Sequence, residues 1–81
     1  MDLYHYYYAR GMYNEALYYL ELGIRRAPER AGNYYSRAVY MLTVGKSDEA
    51  QESINEALKL YPRSIKYRDF KEKLKKNTKK H

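Results

Sequence analysis

At 81 residues and a formal net charge of +6, the chain has room for one domain, and a domain this small buries only about two-thirds of the surface its unfolded chain exposes. The absence of cysteine excludes disulfide frameworks, thiol redox chemistry and thiolate metal sites, and two histidines, His5 and His81, are too few for an imidazole cluster. No apolar run is long enough to cross a bilayer and no cleavable leader is recognisable, so a soluble, cytoplasmic protein with no cofactor is expected.

In chain order, a first helix is expected over 2–10, ended by Gly11, where φ can be positive. A second follows over 13–26. Tyr13-Asn14-Glu15 offer capping side chains and an acid near its start, and Ala16, Leu20 and Ile24 recur at four-residue spacing as an apolar stripe. Pro28 restricts Ala27 and suits the first turn of a third helix, expected over 29–44. Gly45 ends that helix, Ser47-Asp48-Glu49 repeat the capping chemistry, and a fourth helix over 47–60 carries Ala50, Ile54, Ala57 and Leu58 on one side. Pro62 restricts Tyr61 and opens a fifth helix over 63–77, where Tyr67, Phe70 and Leu74 share a face and Lys71, Lys73, Lys75 and Lys76 lie mostly elsewhere. Residues 78–81 are expected to form a frayed basic tail.

These elements repeat. Gly11 and Gly45, Ala16 and Ala50, Leu20 and Ile54, and Pro28 and Pro62 are each 34 residues apart, and Gly23 and Ala57 keep the interval with another small residue. A fixed period of this length with helical spacing inside it defines a helix-turn-helix unit.

On these residues the chain resembles the tetratricopeptide repeat (TPR) family, whose units are antiparallel helix pairs with small residues and a terminal proline at the positions of Ala50, Ala57 and Pro62. The second copy, 31–62, matches more fully, with Tyr34 at a large aromatic position, Ala38 at the small first-helix position and Gly45 to Ala50 across the turn. The first copy, 1–28, is shortened, because Met1 falls inside its first helix, and it departs from the pattern with Tyr4 where the family has a small residue. The resemblance implies an all-α, TPR-like α-solenoid of about five helices. It would form one domain over 1–77, with 63–77 as a helix capping the last repeat.

The resemblance also implies a non-enzymatic scaffold for protein–protein interaction. In this family the first helix of each pair lines a concave side where an extended peptide or partner helix lies. Carried over residue by residue, that groove is His5 and Tyr8, then Tyr35, Val39, Leu42 and Thr43, then Lys66, Asp69 and Lys73. Aromatic and aliphatic anchors with a basic end suit a partner bearing apolar side chains and acidic groups. The bland alternative is an exposed face that holds nothing. The carboxylate clamp of some family members is not expected, because its places hold Met1, His5, Ser36, Lys66 and Phe70, of which only Lys66 has the required chemistry.

Twelve tyrosines stand against one phenylalanine and no tryptophan, and most are expected to be packing residues with a wet hydroxyl. Comparing the two copies singles out Tyr18, Tyr19 and Leu22, whose places are taken 34 residues later by Glu52, Ser53 and Glu56. A helix face that is apolar in one repeat and polar in the other needs a cover. Self-association into a homo-oligomer through this N-terminal end is one expectation, and a preceding repeat of a longer chain is the other.

A competing class follows from the charge. Residues 1–62 hold seven Lys/Arg against eight Asp/Glu, whereas 63–81 hold nine against two, so the last helix offers an electrostatic surface to nucleic acid or anionic membrane. The lysines do not interleave with the tyrosines, which favours a solubilising cap instead. Pentatricopeptide repeats bind RNA, but with a period near 35 residues and in longer arrays. No nucleophile elbow, Gly-rich phosphate loop or paired-His motif occurs, so no enzyme is expected.

Overall fold

Two glycines set the tight turns. In the computed structural model, which describes residues 3–78, Gly11 and Gly45 have φ of 74° and 83°, the left-handed region that a side chain opposes. The Gly11 N–H donates to the Tyr8 carbonyl at 3.0 Å and the Met12 N–H to that of Tyr7 at 3.0 Å. Thirty-four residues on, Gly45 donates to Leu42 at 3.1 Å and Lys46 to Met41 at 2.7 Å. Each pair satisfies carbonyls that a helix end leaves without partners.

The chain is all-α, with five helices and no strand among the described residues: α1 Leu3–Ala9, α2 Tyr13–Arg26, α3 Ala31–Thr43, α4 Ser47–Leu60 and α5 Ile65–Thr78. The second and fourth lie over their expected ranges. Asp2, expected to open the first helix, and 79–81, expected to fray, lie outside the described residues, whereas 78 belongs to α5.

Two local expectations are corrected. Pro28 and Pro62 sit before the helices they were expected to open, since α3 and α5 start three residues later. Each is the second residue of a four-residue turn, closed by Arg30 N–H to Ala27 O at 3.1 Å and by Ser64 N–H to Tyr61 O at 3.3 Å. The fixed φ of proline suits that place. Nor do Asn14 and Ser47 cap α2 and α4. The cap positions fall on Met12 and Lys46, neither of which makes a side-chain cap bond, because the glycine turn is so short that the chain is already helical at Tyr13 and Ser47. The acids do lie in the first turns, as Glu15 and as Asp48 and Glu49, where the helix dipole favours them. A side-chain cap does occur at α5, where the Ser64 hydroxyl accepts from the Tyr67 N–H at 3.2 Å.

The core is built from small residues. Ala16, Ala38, Ala50, Ile54 and Ala57 are fully buried and Leu20 nearly so, and α3 and α4 form the most extensive helix pair. Alanine at Ala38, Ala50 and Ala57 lets those two backbones approach closely. Tyr4, at the small-residue place of the first copy, is also buried and reaches sideways to donate its hydroxyl to the Ser36 carbonyl at 3.2 Å. The exception is thus absorbed by a neighbouring helix. Leu74 is buried and Tyr67 and Phe70 are packed against the core, so α5 covers the end of α3 and α4 as the face of three expected.

Candidate functional site

Consecutive helices pack against one another, and tyrosine side chains reach the helix one repeat away. Tyr4 of α1 bonds to Ser36 of α3, and Tyr8 of α1 lies 2.7 Å from the Thr43 hydroxyl. Thr43 donates its own proton to the Val39 carbonyl at 2.9 Å, which leaves Tyr8 as the donor in the contact between them. The next step repeats the offset: Tyr35 of α3 stacks on Tyr67 of α5, centroids 5.2 Å apart at 28°, and meets Phe70 edge-on at 5.6 Å. Residue separations of 32 and 35 recur in both steps. Side chains thus link α1 to α3 and α3 to α5.

The expected groove residues of α1, α3 and α5 differ in exposure. His5 is exposed, its ring edge-on to Tyr4 at 4.9 Å. Tyr8, Val39 and Leu42 are half-buried and Thr43 is exposed. Tyr35 is half-buried and engaged on several sides, because the Lys66 ammonium also sits 4.6 Å from its ring centroid. It acts as a joint between α3 and α5 and keeps Lys66 in place through a cation–π contact. Lys73 is exposed. Asp69 borders a different concavity, a shallow one of about 570 Å³ shared with Leu58, Pro62, Ile65 and Glu72 between α4 and α5.

On the α2 and α4 side of α3 lies a polar centre that the sequence did not single out. The Arg37 Nε donates to Glu21 Oε1 at 3.0 Å and its Nη1 to the Ser53 hydroxyl at 2.6 Å. One α3 side chain therefore ties α2 to α4. Ser53 is 2% exposed, so the face of Glu52, Ser53 and Glu56 is not simply a solvated counterpart of Tyr18, Tyr19 and Leu22. It lines, with Glu21, Ile24, Tyr34 and Arg37, a shallow depression of about 460 Å³. The one available signal was Arg37 itself, the single charged residue between Ala31 and Val44.

The equivalent face of α2 is partly open. Tyr18 is 58% exposed, while Tyr19 and Leu22 are half-buried. Tyr19 is held by a near-parallel stack on Tyr7 (5.5 Å, 3°) and by the edge of Tyr18 at 5.1 Å. Between α3 and the start of α2, Tyr40 donates its hydroxyl to the Tyr13 carbonyl at 3.2 Å, and burial together with the neighbouring Tyr13 raises its pKa above the ordinary 10.0.

No helix among the described residues is long and apolar enough to cross a membrane. No protein-family model matches the chain, and no curated protein matches it.

Proposed function

We propose that this chain is a non-enzymatic interaction module of tetratricopeptide type, which holds a peptide or partner helix against α1, α3 and α5, and associates with a second copy through Tyr18, Tyr19 and Leu22. The observation that carries the reading is the recurrence of helix-end bonds at the 34-residue interval: Gly11 N–H to Tyr8 O and Met12 N–H to Tyr7 O recur as Gly45 to Leu42 and Lys46 to Met41. Backbone bonds support it, because Ala27 N–H to Gly23 O and Ala16 N–H to Met12 O recur 34 residues later as Tyr61 to Ala57 and Ala50 to Lys46. Half-exposed Tyr8, Val39 and Leu42 and the ammonium groups of Lys66 and Lys73 suit a ligand with apolar and acidic side chains.

The test is selection of a random peptide library on the immobilised protein, followed by titration of the enriched peptides against wild type and a Val39→Asp, Lys73→Glu variant. Enrichment of mixed apolar and acidic peptides that bind the variant at least about ten-fold more weakly is the expected result. Peptides that bind both proteins equally would place recognition elsewhere.

A further inference from the structure

The contacts between the two helix pairs define what the N-terminal end lacks. Arg37 and Tyr40 of α3 meet Glu21 and Tyr13 of α2, and Ser53 of α4 joins through Arg37. Thirty-four residues earlier stand Leu3, Tyr6 and Tyr19. Leu3 and Tyr6 are 46% and 37% exposed, and Tyr18, beside Tyr19, is 58% exposed. The surface that is filled one repeat later is apolar here and only partly covered, Tyr19 by the Tyr7 ring and Tyr6 by the Arg10 guanidinium.

The pattern along α2 says what fits it. Glu15, the pair Tyr18 and Tyr19, Leu22, and the pair Arg25 and Arg26 are set three or four residues apart, which places them in one stripe. Its centre is aromatic and aliphatic, its first end acidic and its last end basic. Glu15, Arg25 and Arg26 are exposed and none is in an ion pair among the described residues. Such a stripe is complementary to itself when reversed. Contact with the C-terminal end of another copy would instead set Arg25 and Arg26 toward a segment with nine Lys/Arg against two acids, and two C-terminal ends would repel each other.

Resting on the self-association reading above, we propose that two copies pack α2 against α2, antiparallel across a twofold axis near Leu20. Tyr18 then meets Leu22 of the second copy, and Glu15 faces the Arg25 and Arg26 of that copy, twice by symmetry. The Tyr7–Tyr19 stack fixes one aromatic in advance, so less side-chain freedom is lost on association. The charges set register and orientation, and the apolar centre supplies the attraction.

The experiment is sedimentation equilibrium of the full chain from micromolar to millimolar concentration, on wild type, Glu15→Arg, the pair Arg25→Glu with Arg26→Glu, and all three together. Circular dichroism checks that each exposed-site variant keeps its helices. A wild-type dimer is expected, weakened at least about ten-fold by either reversal and restored to within about three-fold by the triple reversal. A dimer indifferent to these reversals would overturn the antiparallel register while leaving self-association standing. A wild-type monomer throughout would overturn self-association itself.

Discussion

Tyr8 donates its hydroxyl proton to Thr43 at 2.7 Å while Thr43 donates to Val39, so a residue of the first helix is fixed to one 35 positions away by a relay of two bonds. The relay is exposed, and a net hydrogen bond is worth about 0.5–1.5 kcal/mol. Tyr8→Phe is expected to destabilise the fold by about 0.5–1 kcal/mol in urea titration. The double variant with Thr43→Val should cost less than the two single changes together, because each single change removes the same contact.

The glycines are expected to respond in opposite directions. Gly11→Ala and Gly45→Ala force a side chain into positive φ and should each destabilise by about 1–2 kcal/mol. Gly23 lies inside α2, a Cβ there would meet the Asn33 side chain at an ordinary 3.6 Å, and its repeat mate is the buried Ala57. Gly23→Ala should therefore stabilise by about 0.5–1 kcal/mol. Thermal unfolding of the three variants reads both signs.

Ile54 is fully buried at the centre of α4. Ile54→Ala removes its packing and leaves a cavity, with an expected loss of about 2–5 kcal/mol. A domain of this size is stable by only about 4–12 kcal/mol, so the change should bring the unfolding midpoint close to working temperature.

Alkaline behaviour follows from Tyr40. Its folded-state pKa is raised above 10.0 by burial and by Tyr13, so above the unfolded-state pKa the unfolded chain loses a proton that the folded chain keeps. The stability contributed by neutral Tyr40 is complete below that pH and is lost as pH rises through the folded value. Unfolding free energy should fall above about pH 10, and Tyr40→Phe should flatten the decline while lowering stability at neutral pH through loss of the bond to the Tyr13 carbonyl.

The period was legible because its markers answer local needs. Positive φ at Gly11 and Gly45, close helix approach at Ala16, Ala50 and Ala57, and a fixed turn torsion at Pro28 and Pro62 each require a particular residue type. Asn14 and Ser47 show where local reasoning fails: their capping chemistry is real, but turn length decides whether the cap position reaches them, and here it falls on Met12 and Lys46. The partners of Tyr4, Arg37 and Tyr35 depend on which helices become neighbours. Repeat arithmetic gives the neighbouring helix but not the rotamer that turns Tyr35 from an open anchor into a joint with Tyr67, Phe70 and Lys66.

The most direct measurement of the interaction-module account is amide chemical-shift mapping of the full chain with a selected acidic, apolar peptide. Shifts concentrated at Tyr8, Val39, Leu42, Thr43, Lys66 and Lys73, on α1, α3 and α5, are the expected result. Shifts confined to the depression lined by Glu21, Arg37 and Glu56, or spread evenly over the lysines of α5 and removed by salt, would contradict it.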